Sequence, residues 1–289
     1  MLTLATMVSC SSEDVLNNAD NDNVEIKLNA GVVSTKAPID SNDEGIPTAK
    51  VDNVQFLRLD GETPAWETLS TASFTGAVET TGNITVAEGQ TQYYPTNGGN
   101  ANILGFYPKA DRITSGKASF TIDGSQDILY AGAVSGSKTA AIGSLVFTHK
   151  LTQFKFVVKR DNSINDVSNV SVTIQNANSK FDLNLADGVL SAWGTSVSTI
   201  KPVTAATATE AGSAASEGIM LEPGLSSITL SVSGEGFNAQ TVTINGTEEG
   251  EFKAGKAYTL TLTFKAKEVA GQATLAKWQE GTAGEAEIN

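Results

Sequence analysis

Apolar and polar residues alternate along most of this chain, from residue 24 to the high 260s. Residues 258–264 are a clear case, because apolar side chains there alternate with threonines. This period of two is typical of a β-strand with one buried face, since successive side chains of a strand point to opposite sides. The same pattern recurs at residues 24–28, 154–158, 170–174, 181–185 and 228–232. Helical periodicity is almost absent, so the sequence predicts an all-β protein with antiparallel strands.

Turn signals separate these runs and divide the chain. Asp187-Gly188 and Asn245-Gly246 are dipeptides that accept the positive φ angles of tight hairpins. Many short strands joined in this way favour β-sandwiches. A chain of 289 residues exceeds the usual length of one domain. We therefore expect two tandem sandwiches, residues 24–144 and 145–289, divided where Gly, Ala and Ser dominate residues 132–146.

The start of the chain resembles a lipoprotein signal. Apolar residues lead to Cys10, the only cysteine, and serines and acidic residues follow it. Such a segment lets a signal peptidase cut before the cysteine, whose thiol then carries the lipid. We expect residues 1–10 to be this signal, Cys10 to be lipidated and residues 11–23 to be a flexible tether. The alternative is an unpaired thiol on a disordered tail.

Charge and residue types exclude several function classes. The net charge is -13, and Lys and Arg form no cluster, which argues against nucleic-acid binding. His149 is the only histidine, so a metal site of several imidazoles is excluded. No Gly-x-Ser-x-Gly motif accompanies it, and we expect His149 to be structural. We predict no catalytic residues, no metal and no cofactor; a surface hydrolase built on paired carboxylates or on His149 is a rival interpretation.

Aromatic residues leave a further alternative open. Three tryptophans, Trp66, Trp193 and Trp278, together with the tyrosines, could form a platform for sugar rings. The chain would then be a monomeric outer-membrane surface lipoprotein that binds glycans. Tyr94-Pro95 and Tyr107-Pro108 instead suggest rings that cover the ends of strands. We therefore favour core positions for these aromatic residues.

Several segments, taken in order, carry a family resemblance. Tyr93-Tyr94-Pro95 is followed by ILGFYP at 103–108, DILYA at 127–131, LVFTHKLTQFKF at 145–156, GKAY at 255–258 and ATLAKW at 273–278. In this order they resemble the fimbrillin family, the subunits of type V pili of Bacteroidota. The resemblance implies two transthyretin-like β-sandwiches. It also implies an exported outer-membrane lipoprotein precursor and a mature form in cell-surface fimbriae that support cell adhesion.

The resemblance also implies a mode of assembly. A protease removes the first strand, and an extended segment of another pilin subunit fills the groove. In this chain the removable strand would contain Val24, Ile26 and Leu28, and Lys36 stands in the following loop where the family has an arginine. The donor would be residues 268–289, including Leu275 and Trp278, or the strand that starts at Tyr258. Other subunits and, through the lipid, the membrane are the implied partners; the sequence does not identify the surface receptor.

Overall fold

The computed structural model describes residues 23–32, 39, 41–42, 45–192, 200–204, 207–266 and 269–275. The strands of these residues, numbered in chain order, are β1 (Ala30–Val32), β2 (Val51–Asp60), β3 (Phe74–Val78), β4 (Ile84–Val86), β5 (Ala101–Tyr107), β6 (Arg112–Thr114), β7 (Lys117–Thr121), β8 (Leu129–Gly136), β9 (Leu145–His149), β10 (Thr152–Arg160), β11 (Ser171–Ile174), β12 (Lys180–Asn184), β13 (Leu190–Ala192), β14 (Val203–Thr204), β15 (Ile219–Leu221), β16 (Ser227–Gly234), β17 (Phe237–Asn245), β18 (Ala257–Phe264) and β19 (Val269–Leu275).

Strands make up nearly all the regular structure, which confirms the all-β prediction. The described residues contain one 3₁₀ turn, Trp66–Thr68, and no α-helix. Within that part of the chain, no helix is long and apolar enough to cross a membrane. Most neighbouring strands are antiparallel, but β1 runs parallel to β9 and β10 runs parallel to β18. These two parallel pairs join strands that are far apart in the chain, and the sequence pattern did not predict them.

The first half of the chain forms a seven-stranded sheet in the order β1-β9-β8-β5-β2-β3-β4. Alternate residues of its strands enter two different cores, because side chains alternate across a strand. Phe56, Ile103 and Phe147 belong to a first core, together with the alternate residues Ile26, Leu28, Ala30 and Val32. Leu57 and Leu104, which directly follow Phe56 and Ile103 in sequence, belong to a second and larger core. Both faces of the central strands β2 and β5 therefore contribute to buried cores.

The second half contains two facing four-stranded sheets. Their orders are β15-β10-β18-β19 and β14-β11-β16-β17. Alternate residues of β10 and β18, such as Phe156 and Leu260, are fully buried, as are Val172 of β11 and Leu230 of β16. The period-two pattern at these strands therefore predicted the buried face correctly.

A fourth sheet, β13-β12-β7-β6, joins the two halves of the chain. β7 pairs with β12 along five residues, and Phe106 of β5 packs edge-on against Phe120 of β7 at 6.0 Å between ring centroids. The Tyr130 hydroxyl of β8 donates to the Leu185 carbonyl at 2.9 Å. The β7–β12 pairing and the Tyr130–Leu185 hydrogen bond thus join residues on either side of residue 144, and the domain limits stay a prediction from the sequence.

Candidate functional site

Residues 24–32, called here the first strand segment, lie between β4 and β9. On the β4 side, the Ile84 N–H donates to the Leu28 carbonyl at 3.0 Å, and the Ala30 N–H donates to the Gly82 carbonyl at 2.7 Å. On the β9 side, the Leu145 N–H donates to the Asn29 carbonyl at 2.9 Å. Residues 30–32 then pair with residues 145–147 in parallel. The first strand segment therefore closes the gap between β9 and β4, which would be the two outer strands of the sheet without β1.

The hydrogen-bond partners of this segment change along its length. Near its start, the Ile26 N–H donates to the Gln92 carbonyl at 2.8 Å, and the Tyr94 N–H donates to the Val24 carbonyl at 2.9 Å. At its end, the Val32 N–H donates to the Gly45 carbonyl at 2.6 Å. Residues 28–32 therefore have bonded neighbours on both sides, whereas Val24 and Ile26 bond to residues 92–94. The segment is thus bound by a discontinuous ladder rather than by two full strands.

The inward side chains of the segment complete the first core. Ile26, Leu28, Ala30 and Val32 are between 2% and 5% exposed, and all four belong to the cluster that contains Phe56 and Phe147. Fully burying a large aliphatic side chain stabilises a protein by about 1.5–3 kcal/mol. Val24, which the pattern placed on the same buried face, is 45% exposed. The buried register therefore starts at Ile26.

The other residues singled out from the sequence have different outcomes. Cys10, Lys36, Trp193 and Trp278 lie outside the described residues. Leu275 is the last residue of β19, where it pairs with Tyr258 and packs against the second core.

Most of the aromatic residues placed by the structure belong to the cores. Trp66 and Tyr94 are 6% and 5% exposed, as expected for core residues, whereas Tyr93 is 43% exposed. Tyr93 is therefore a clearly exposed ring among the aromatic residues considered for a sugar platform.

His149 follows Phe147 on the inward face of β9 and forms a buried pair that the sequence did not reveal. Its Nδ1 lies 2.6 Å from Oδ2 of Asp127, and both side chains are fully inaccessible to solvent. A substrate could not reach this pair without rearrangement of the core. Across the described residues, no group of three His, Cys, Asp or Glu side chains is placed to hold a metal ion. The pair links the start of β8 to the end of β9, the strand that borders the first strand segment.

Tyr107 lies beside this region at the end of β5. Burial, together with the nearby Asp127 carboxyl, raises the pKa of the Tyr107 hydroxyl above its ordinary value. The phenol is therefore neutral at physiological pH. Its ring packs against the first core while remaining partly exposed.

Comparison with known proteins gives consistent results. One curated relative is a protein of Bacteroides uniformis named provisionally as fimbrium subunit Fim1C; it is 27% identical over 218 residues, covering 70% of each chain. Two solved structures, both described as provisional cell adhesion proteins, share the fold. One, from Bacteroides uniformis, has a TM-score of 0.61 at 21% identity and covers 91% of this chain and 100% of its own. The other, from Bacteroides ovatus, has a TM-score of 0.55 at 17% identity and covers 92% of this chain and 99% of its own.

A family model provides the assignment. The model described as Fimbrillin-like matches residues 35–278, which is most of the chain. That range includes all the strands after β1. The chain belongs to the fimbrillin-like family.

Proposed function

We propose that this protein is a structural subunit of a cell-surface fimbrium, that it polymerises by strand exchange and that the fimbrium supports adhesion. The family membership and the fimbrium subunit among its relatives support the fimbrial role. The observation that carries the exchange step is the position of the first strand segment. It lies between β4 and β9, both of which are distant from it in sequence. Its Ile26, Leu28 and Val32 side chains fill part of the first core.

Removal of this segment would create an acceptor groove. The backbone groups of β4 and β9 that now bond to it, such as the Ile84 and Leu145 N–H groups, would lose their partners. Apolar side chains such as Phe56 and Phe147 would lose the cover of the segment at the same time. An open row of N–H and C=O groups above an apolar floor binds an extended strand. A strand from another subunit could satisfy both requirements.

The proposal also includes the cleavage that releases the first strand segment and the donor segment that replaces it. Lys36 is the proposed cleavage point, a few residues after the end of β1. The proposed donor is residues 268–289, with Leu275 and Trp278 as its candidate anchoring side chains. The strand that starts at Tyr258 is a poorer donor, because β18 pairs with β10 on one side and with β19 on the other. The proposed precursor is an outer-membrane lipoprotein held through Cys10.

A disulfide that pins the segment tests the exchange. Asn29 and Asn83 are antiparallel partners with exposed side chains, so Asn29→Cys with Asn83→Cys places two thiols side by side. Cys10→Ser is included to prevent mispairing. A site for a specific protease is inserted between Thr35 and Lys36, and the folded full chain is then cut.

The reduced protein is expected to form an SDS-resistant ladder after cutting, whereas the oxidised protein stays monomeric. Adding a reductant to the oxidised sample should restore the ladder. The single Asn83→Cys variant, treated identically, controls for the effects of oxidation. Equal ladders from the oxidised and reduced proteins would refute exchange at this position.

A further inference from the structure

An open pocket of about 730 Å³ lies where β2 begins and β5 ends. Its walls include Lys50, Asp52 and Asn53 on one side, and Tyr107 and Lys109 on the other. The first strand segment contributes none of the residues that line it. Pockets of about 300–1,000 Å³ that combine an aromatic ring with a few polar groups are typical of ligand sites. The pocket is therefore a candidate binding site separate from the proposed acceptor groove.

A β-bulge turns two successive side chains of β2 outward at this pocket. The pairing of β2 with β3 shifts between Val51 and Val54, which are buried, whereas Asp52 and Asn53 between them are exposed. Asn53 has a φ of 61°, in the left-handed region that few residues other than glycine adopt. Bulges re-aim side chains and are frequent beside functional sites. The Asn53 amide has no hydrogen-bond partner among the described residues, so it can both donate to a ligand and accept from it.

The two lysines of the pocket differ in their partners. The Lys50 ammonium lies 3.1 Å from the Asp52 carboxylate and 3.5 Å from the Glu79 carboxylate. Lys109 has no carboxylate partner in the part of the chain that the structure describes. An unpaired ammonium in a pocket favours a ligand with a negatively charged group. Lys109 is therefore the group that selects an anion, while Lys50 is already neutralised by carboxylates.

Tyr107 provides the aromatic wall of the pocket. Its ring packs against the first core and is partly exposed. The face of an aromatic ring carries partial negative charge and attracts the C–H groups of a sugar ring. Burial raises the pKa of the Tyr107 hydroxyl, so this group is protonated at physiological pH and can donate a hydrogen bond. The wall thus matches a ligand that has both an apolar face and hydroxyl groups.

We propose that this pocket binds a sugar that carries a carboxylate. The sugar ring lies against Tyr107, its hydroxyls bond to the Asn53 amide, and its carboxylate pairs with the Lys109 ammonium. A simple anion would leave the aromatic wall unused, and a neutral sugar would leave Lys109 unpaired. The inference rests on the adhesion role in the proposed function and names the class of surface receptor that this role requires.

Saturation-transfer NMR with the folded full chain tests the proposal. The probes are glucuronate, galacturonate and N-acetylneuraminate, with glucose, galactose and acetate as controls. At least one acidic sugar is expected to bind about tenfold more tightly than every control, because hydrogen bonds to charged groups are the strong ones. The inference is overturned if none of the three acidic sugars binds, or if a neutral sugar or acetate binds as tightly.

Two variants locate the sugar in this pocket. Lys109→Gln removes the ammonium, and Asn53→Gly removes the amide while keeping a residue that accepts the left-handed backbone. Each should weaken binding of the acidic sugar by about fivefold or more. Lys117→Gln, which removes an exposed lysine of β7 outside the pocket, is the matched control and should leave binding unchanged.

The midpoint of thermal unfolding of each variant should stay close to that of the parent protein, because all three side chains are exposed. Undiminished binding in both pocket variants would place the sugar elsewhere and contradict the inference.

The sugar measurement uses single uncut chains and is independent of polymerisation. Absence of sugar binding together with a normal SDS-resistant ladder would refute the sugar pocket and leave strand exchange standing. Sugar binding by a chain that never forms the ladder would count against strand exchange and leave the assignment of the pocket intact.

Discussion

The first strand segment and β19 lie near opposite ends of the described chain and are packed in opposite ways. The first strand segment bonds to strands on both sides and places Ile26, Leu28 and Val32 in a core. Among the described strands, β19 pairs with β18 alone, and its inward residues Gly271 and Ala273 are small. How much a strand stabilises a sheet thus depends on its inward side chains and on the number of neighbours that it bonds. By both measures, losing the first strand segment exposes far more than losing β19.

Shortening a buried side chain in each of these two strands should give the largest difference in the free energy of unfolding. Leu28→Ala should lower the free energy of unfolding by about 2–5 kcal/mol, because it leaves a cavity in the first core. Val269→Ala in β19 should cost about 1.6 kcal/mol, since two methylene equivalents are lost at an edge strand. Urea unfolding of both variants provides the comparison. Equal costs, or a larger cost for Val269→Ala, would break the contrast between the strands.

Gly271 tests how closely β19 packs against β17. A Cβ added at Gly271 would come within 2.8 Å of Ile244 and 2.9 Å of Val242, both on β17. Gly271→Ala should therefore destabilise the protein by about 1–3 kcal/mol through overpacking. Gly143→Ala is the matched control, because nothing lies within 4 Å of its added Cβ. If the two alanine variants unfold at the same urea concentration, β19 is packed less closely than described.

The smallest expected effect lies outside both strands. The Lys201 ammonium, followed by the Ser125 hydroxyl, holds the pKa of Asp123 well below its ordinary value. A carboxyl with a depressed folded pKa contributes stability above its unfolded pKa of about 3.9, and that contribution is lost as the pH falls further. Lys201 is largely exposed, so solvent screens the pair. Asp123→Asn should cost less than about 1 kcal/mol at pH 7.

The Asp123→Asn variant should approach the parent protein in stability as the pH falls below about 4. Urea unfolding at pH 7 and at pH 3 measures the two differences. A cost at pH 7 as large as that of Leu28→Ala would mean that surface charge, rather than the first core, dominates the stability. A cost that grows at pH 3 would contradict the assigned direction of the Asp123 pKa.

The sequence predicted buried faces better than it predicted strand partners. The alternation in residues 258–264 matches the burial of β18, and Ile26 and Leu28 face a core as expected. A period of two indicates which side chains point inward but does not identify the neighbouring strand. The parallel pairing of β1 with β9 therefore had no local signal. Val24 was wrong as a core residue because alternation alone does not show where a buried segment begins.

The candidate site also depended on contacts between distant residues. Asp127 and His149 are 22 positions apart, and no spacing rule links them. By contrast, the segment resemblance identified the family from the sequence alone.

The most direct test of the central claim is the N-terminal sequence of this protein within fimbriae purified from the cell surface. Strand exchange predicts that polymerised chains begin after Val32, with the first strand segment absent and Gly45 retained. Polymerised chains that still contain residues 24–32 would contradict the account, because the groove between β4 and β9 would then remain occupied by the chain's own strand.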